Sequence, residues 1–227
     1  TAHGQELIEF ADLSLSAHDA AVQRFQGSTL SGLIRLGTTD DVAADRAVGI
    51  AGRFRWAHPG IRLQVRVSSS LKVAEWVDEG AIDLAVMPVE QANVRQNDFT
   101  LWSEPLCFVQ AKDSDFSIQD ALPLVSFGSR CFYGGIAGAL LEDAQVRYDN
   151  VLESASIAGV CAAVSAGFGV ALMNASFMSD DQCEWSGASE LPTPPDIHYV
   201  LRAARLPLTD AQESLVAELR GSVPLEV

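Results

Sequence analysis

Three observations predict an α/β protein of two doubly wound lobes joined by crossover strands. Residues 33–87 alternate short apolar strands with helices, residues 104–173 do so again, and one strand and one helix are left over from residue 197 onward. Strand–helix–strand alternation implies parallel pairing, because parallel strands need a long crossover between them. The leftover pair is what a chain leaves when it crosses into a second lobe and returns. A chain of 227 residues is long enough for one large core or two small ones.

Each element follows from local pattern. Residues 5–26 contain no Pro or Gly, and Leu7, Phe10, Ala11, Ala21, Val22 and Phe25 share one side of a helical wheel, which predicts an amphipathic helix ending at Gly27. "LIRLG" (33–37) reads as a strand. Residues 42–57 form a helix, with Ala43, Ala47, Ile50, Ala51 and Phe54 on one face, that stops before "HPG". "IRLQVRV" (61–67) has the period of two that marks a strand. "SSS" (68–70) offers N-cap hydroxyls to a helix from Leu71 to Glu79 that Gly80 closes, and "IDLAVM" (82–87) is a buried strand.

The second series reads as strands over 104–111 and 122–127, a glycine-tolerant helix over 129–142, a strand over 145–149, a helix over 156–166 and a strand over 169–173. "SGASELPTPPD" (186–196) is too rich in turn residues for a regular element. "IHYVLRA" (197–203) is the returning strand. A terminal helix follows, with Thr209 and Gln212 spaced as a capping box.

Composition narrows the function. Hydrophobic residues make up 48% and charged residues 20%, an ordinary globular balance. Thirty acids against fifteen bases give a net charge of −15, which repels DNA and anionic membranes. Cys107, Cys131, Cys161 and Cys183 form no CxxC pair and have no histidine at ligand spacing; they read as small buried hydrophobes of a reducing compartment. No apolar run is long enough for a membrane span and the start lacks a signal-peptide pattern, so the expected location is cytoplasmic.

Catalysis is not expected. His3, His18, His58 and His198 neighbour no serine elbow and no cysteine of a known pattern, and HExxH and calcium-loop motifs do not occur. "RCFYGGIAGALL" lacks the Gly-Lys-Ser/Thr of a phosphate loop, so its glycines are read as permitting close helix packing. No metal and no cofactor are expected.

Taken together, "SGLIRLGTTDD", "GRFRWAHPGIRLQVRV", "SSSLKVAEWVDEGAIDLAVM" and "ESASIAGVCAAVSAGFGVALM" resemble the effector-binding domain of LysR-type transcriptional regulators. The likeness covers residues 30 to about 178 in order and spacing. Ala47-Val48 and Met173-Asn174 depart from it, standing where Leu-Pro is usual. The resemblance implies a fold like type II periplasmic binding proteins, a linker helix over 1–29, one lobe from 30–101 with 196–227, and a second from 102–195. It also implies a small-molecule effector, a homodimer or tetramer, and DNA contact only through a helix-turn-helix ahead of residue 1. A solute-binding protein of a transport system is the alternative with the same architecture.

In such a fold the ligand belongs where strands end and helices begin. That places candidate effector contacts at Thr38, Thr39, Asp40, Ser68, Ser69, Ser70, Pro88, Phe127, Gly128, Arg130, Ser154, Ser156 and Asn174. Some have purely structural readings: Thr38 with Asp41 fits a capping box, the serines fit N-caps, and Arg130 could pair within its own chain. If one of the two adjacent acids caps and Asp40 faces the crevice, an anionic ligand meets repulsion from Asp40 on one lobe and attraction from Arg130 and free amides on the other, which favours a zwitterionic or neutral polar effector over a dianion.

Overall fold

The computed structural model describes residues 30–42, 47–128 and 131–221, together with positions 11, 14 and 18. The helix expected over 5–26 otherwise lies outside the described residues, as does Arg130. In chain order the strands are β1 (Gly32–Thr38), β2 (Ile61–Val67), β3 (Leu84–Glu90), β4 (Phe99–Glu104) and β5 (Leu106–Ala111), then β6 (Leu122–Ser126), β7 (Tyr148–Glu153), β8 (Ala171–Asn174), β9 (Gln182–Glu184) and β10 (Ile197–Ala203). The helices are α1 (Val48–Ala57), α2 (Ser70–Asp78), α3 (Phe132–Asp143), α4 (Ile157–Ser165) and α5 (Asp210–Gly221), with one further helical turn at Asp40–Val42.

The first sheet runs β2-β1-β3-β10-β4. β1 is parallel to β2 and β3, as the alternation requires, whereas β10 lies antiparallel between β3 and β4. The sheet is therefore mixed, because the returning strand enters from the opposite direction. β5, β8 and β9 form an antiparallel sheet, and the parallel pair β6 and β7 joins it through Leu124 beside Val170.

Several boundaries differ from expectation for local reasons. The strand expected over 104–111 starts at Leu106 as β5, since Pro105 separates it from Glu104, the last residue of β4, a strand the local pattern does not predict. β7 starts at Tyr148 rather than 145: α3 runs to Asp143 and the chain turns through Gln145 at φ 57°. The turn-rich stretch holds a short 3-10 helix, Ser186–Glu190. The Thr209–Gln212 capping box forms reciprocally, with Thr209 N donating to Gln212 Oε1 at 3.0 Å and Gln212 N to Thr209 Oγ1 at 3.3 Å.

Apolar side chains of β1, β3 and β10, among them Leu36, Leu84, Val86 and Leu201, join Phe54 of α1 and Leu215 of α5 in the largest buried cluster. Gly37 in β1 is a steric necessity, since a Cβ there would collide with Ile82. The four cysteines are unpaired and partly buried rather than fully so. Burial pushes the Cys107 thiol up to about 11, which keeps it protonated and a poor nucleophile. Among the described residues no helix is long and apolar enough to cross a membrane, and no cluster could hold a metal.

An ion pair holds β10 beside β4. Arg202 Nε and Nη2 donate to the two Asp98 oxygens at 2.8 and 2.6 Å, and their side chains are 7% and 1% exposed. Removing one partner leaves a buried charge alone, so Asp98→Ala is expected to cost roughly 3–5 kcal/mol, measured by urea unfolding. An equal loss in Arg202→Met alone and in the Asp98→Ala, Arg202→Met double variant would argue against that cause.

Candidate functional site

A cavity of about 650 Å³ is bounded by the ends of β1 and β2 on one side and of β6 and β7 on the other. Strands of a parallel sheet point their carboxyl ends the same way, so the helix starts gather there. Thr39 and Asp40 line it from the first side, with Ser68, Ser69, Ser70 and Pro88. Phe127, Gly128, Ser154 and Ser156 line it from the second.

Two expected residues do not line it. Thr38 is the last residue of β1, fully buried, and its hydroxyl has no hydrogen-bond partner among the described residues. Asn174, also fully buried, ends β8 and works in a network beneath the cavity. Pro88 stands within β3 rather than at its end; β1 pairs with β3 only as far as Val86, so the missing N–H lies beyond that partner.

The two adjacent acids face opposite ways. Asp41 turns inward, and its Oδ2 accepts from the Tyr199 hydroxyl at 2.9 Å. The expected Thr38–Asp41 capping box therefore does not form, because a buried phenol claims the carboxylate. Asp40 turns outward, and its Oδ2 accepts from Ile157 N, the first residue of α4, at 3.2 Å. Nor do the serines cap as expected: Ser69 is the N-cap residue of α2 but makes no side-chain cap bond.

Beneath the cavity the donors form a closed chain. Tyr199 OH accepts from Asn174 Nδ2 at 2.8 Å, and Tyr133 OH donates to Asn174 Oδ1 at 2.7 Å. The second Asn174 hydrogen goes to Glu104 Oε2 at 2.7 Å, which also accepts from Ser176 Oγ at 2.6 Å. Trp102 Nε1 donates to Glu104 Oε1 at 2.8 Å and stacks on Tyr199 with centroids 4.4 Å apart. Burial, with Asp41 and Glu104 nearby, pushes both the Tyr133 and Tyr199 phenols far above their usual value, so both remain donors.

On the opposite wall Gly128 takes φ +90°, and a Cβ there would lie 2.6 Å from Glu153 Oε1. Glu153 thus packs over a glycine and lines the cavity. Gly134 comes as close to the Gly128 carbonyl oxygen, within 2.7 Å of where its Cβ would be. Within "RCFYGGIAGALL" Gly134 and Gly138 permit close approach, whereas a Cβ on Gly135 would meet nothing within 4 Å. Ser154 Oγ turns back on its own segment, accepting from Ser156 N and donating to Ser156 O, both at 3.2 Å.

Asp41, Tyr133 and Glu153 line the cavity without having been expected to. The available signal was a tyrosine in the otherwise apolar heart of "IHYVLRA", whose hydroxyl needs a buried partner. Among the described lining residues three carboxylates, Asp40, Asp41 and Glu153, face no lysine, arginine or histidine. Ser70, 7% exposed, lines the cavity with a hydroxyl that has no partner among the described residues.

Burial raises the Asp41 carboxyl above its ordinary range, against the hydrogen bond it accepts from the Tyr199 hydroxyl. A raised carboxyl contributes stability that is fully present below the unfolded value, about 3.9, and lost as pH rises through the folded value. Asp41→Asn keeps an acceptor for Tyr199 without the charge. Its stability relative to the native chain is expected to improve as pH rises from acid to neutral, read by denaturant unfolding at each pH. A pH-independent difference would contradict the burial account.

Residues 27–222 match the family described as the LysR substrate binding domain. The HTH-type transcriptional regulator YofA of Bacillus subtilis is 27% identical over 176 residues, covering 76% of this chain and 61% of its own length. Among solved structures, the Synechocystis CcmR regulatory domain in complex with 2-PG matches with a TM-score of 0.68 at 14% identity, covering 85% of this chain and 98% of its own. Vibrio fischeri DarR in complex with DNA matches with a TM-score of 0.65 at 16% identity, covering 97% and 79%. At these identities the two structures show a shared fold. The chain spans less than two thirds of YofA.

Proposed function

The chain belongs to the LysR substrate binding domain family, and on that premise we propose that its cavity senses an amino-acid-like zwitterion or a neutral polar molecule. The observation that carries this reading is the asymmetry of the walls. Asp40, Asp41 and Glu153 supply negative charge. At the start of α2 the N-cap residue Ser69 makes no side-chain cap bond, and the Ser70 hydroxyl has no partner among the described residues. A ligand carboxylate suits the α2 start and an ammonium suits the acids.

The relatives support a reading of the whole regulator. YofA is an HTH-type transcriptional regulator and DarR was solved with DNA; an acidic sensing domain leaves DNA contact to a separate helix-turn-helix. Residues 1–29 would form the linker helix, 30–101 with 196–227 one lobe and 102–195 the other, with the crossing near Pro105 between β4 and β5. The effector would change how the lobes pack and so how paired DNA-binding domains are spaced, at a coupling of about 1–3 kcal/mol. The regulator would work in the cytoplasm without metal or cofactor. YofA and DarR are regulators, and neither they nor the matched family speak for a transport solute-binding role.

A thermal-shift series of amino acids, amines and dicarboxylates tests the ligand class. A ligand at 100 times its Kd adds about 2.7 kcal/mol of stability, so an amino-acid hit is expected to be plainly visible. Ser70→Ala should leave the unliganded Tm nearly unchanged, since Ser70 Oγ bonds none of the described residues, yet weaken binding about tenfold, the worth of a hydrogen bond to a charged group. Stabilisation by dicarboxylates alone would sink the reading.

Self-association would use the outer edge of the first sheet. Leu33 of β1, Val65 of β2, and Val48 and Trp56 of α1 are 42%, 37%, 50% and 50% exposed. Exposed apolar side chains on one edge mark an interface. Sedimentation is expected to show a dimer or tetramer that Trp56→Glu dissociates; a strict monomer at high concentration would count against it.

A further inference from the structure

The two helix starts that face the cavity are not equivalent. At α2 the N-cap residue Ser69 makes no side-chain cap bond, and none of the described residues satisfies the buried Ser70 hydroxyl. At α4 the N-cap residue Ser156 also makes no side-chain bond, and Ser154 is spent on Ser156. Yet the Ile157 N–H is not left open. Asp40, 117 positions earlier and on the opposite wall, supplies its carboxylate at 3.2 Å. Asp40 is held in place by its neighbour, since Asp41 is fastened to Tyr199 at 2.9 Å.

A carboxylate at the start of a nine-residue helix meets both an orphan N–H and the positive end of the macrodipole. This is the interaction an anionic group of a ligand would make, here provided by the chain itself. We propose that Asp40 is a tethered anion that fills the start of α4, ties the two cavity walls together, and determines specificity by leaving α2 as the seat for a single ligand anion. The specificity rests on the cavity being an effector site; the filling of α4 by Asp40 does not.

Consequences for ligand choice are direct. A dicarboxylate that seats one end at α2 would bring its other end toward a helix start already holding a negative charge. A zwitterion with one anionic end meets no such conflict. Asp40 is exposed, so its removal is not expected to prevent folding.

The test is removal and replacement of the anion, read at the Ile157 amide by NMR hydrogen exchange. Asp40→Ala is expected to speed that exchange about fivefold, the factor corresponding to about 1 kcal/mol of helix-terminus interaction. Added formate should restore protection in Asp40→Ala, chloride at matched ionic strength should not, and the native chain should respond to neither. Asp40→Asn, which keeps an acceptor oxygen without the charge, should be intermediate and indifferent to formate. Unchanged exchange in Asp40→Ala, or an equal formate response in the native chain, would overturn the tethered anion.

Succinate and glycine read the specificity by thermal shift. Succinate is expected to stabilise Asp40→Ala and not the native chain, and glycine to stabilise both. Succinate acting equally on both proteins would refute the selectivity. Formate rescue with no response to either probe would retire the effector reading and the selectivity with it, while the filled helix start stands. Binding of glycine without formate rescue would do the reverse.

Discussion

The hydroxyl of Tyr199 is the point at which the separate parts of this molecule are tied. It lies on β10, is 2% exposed, donates to Asp41 beyond β1 and accepts from Asn174 at the end of β8. A buried hydroxyl without partners would cost a few kcal/mol, whereas here each hydrogen has an acceptor and the chain of donors ends in a carboxylate at both extremities, Asp41 and Glu104. The network therefore fixes three things together: the insertion of β10, the approach of β8 to the first sheet, and the inward turn of Asp41.

The inward turn of Asp41 determines the electrostatics of the cavity. Two consecutive acids cannot both point into the core; one satisfied by Tyr199 leaves the other on the opposite side of its helical turn, where Asp40 meets the start of α4. Glu153 adds a third carboxylate because Gly128, with no side chain and φ +90°, leaves room for it. The polarity of the site thus derives from packing as much as from residue type. Serines that read as caps are freed from capping at α2, and the hydroxyl of Ser70 remains available.

Legibility in the sequence followed the range of the interactions. Strands β1, β2 and β10 and the Thr209–Gln212 cap were readable because apolar alternation and capping act within a few residues. β4 was not, since "FTLWSE" has a weak alternation and is made a strand by pairing with β10 almost a hundred residues later. Ten of the thirteen expected contacts line one cavity because the strand-end rule is topological. Thr38 and Asn174 lie outside that lining because a position at a strand end says nothing of which way its side chain points.

By itself the sequence determined the α/β class, the order of most elements and the family, all of which depend on patterns repeated along the chain. It also placed two acids after the first strand. Only the tertiary structure decided what those acids do, because their partners, Ile157 and Tyr199, lie 117 and 158 positions away. A carboxylate's role is set by the donor it meets, and donors that distant are chosen by how β10 and α4 come to rest, not by any pattern near residues 40 and 41.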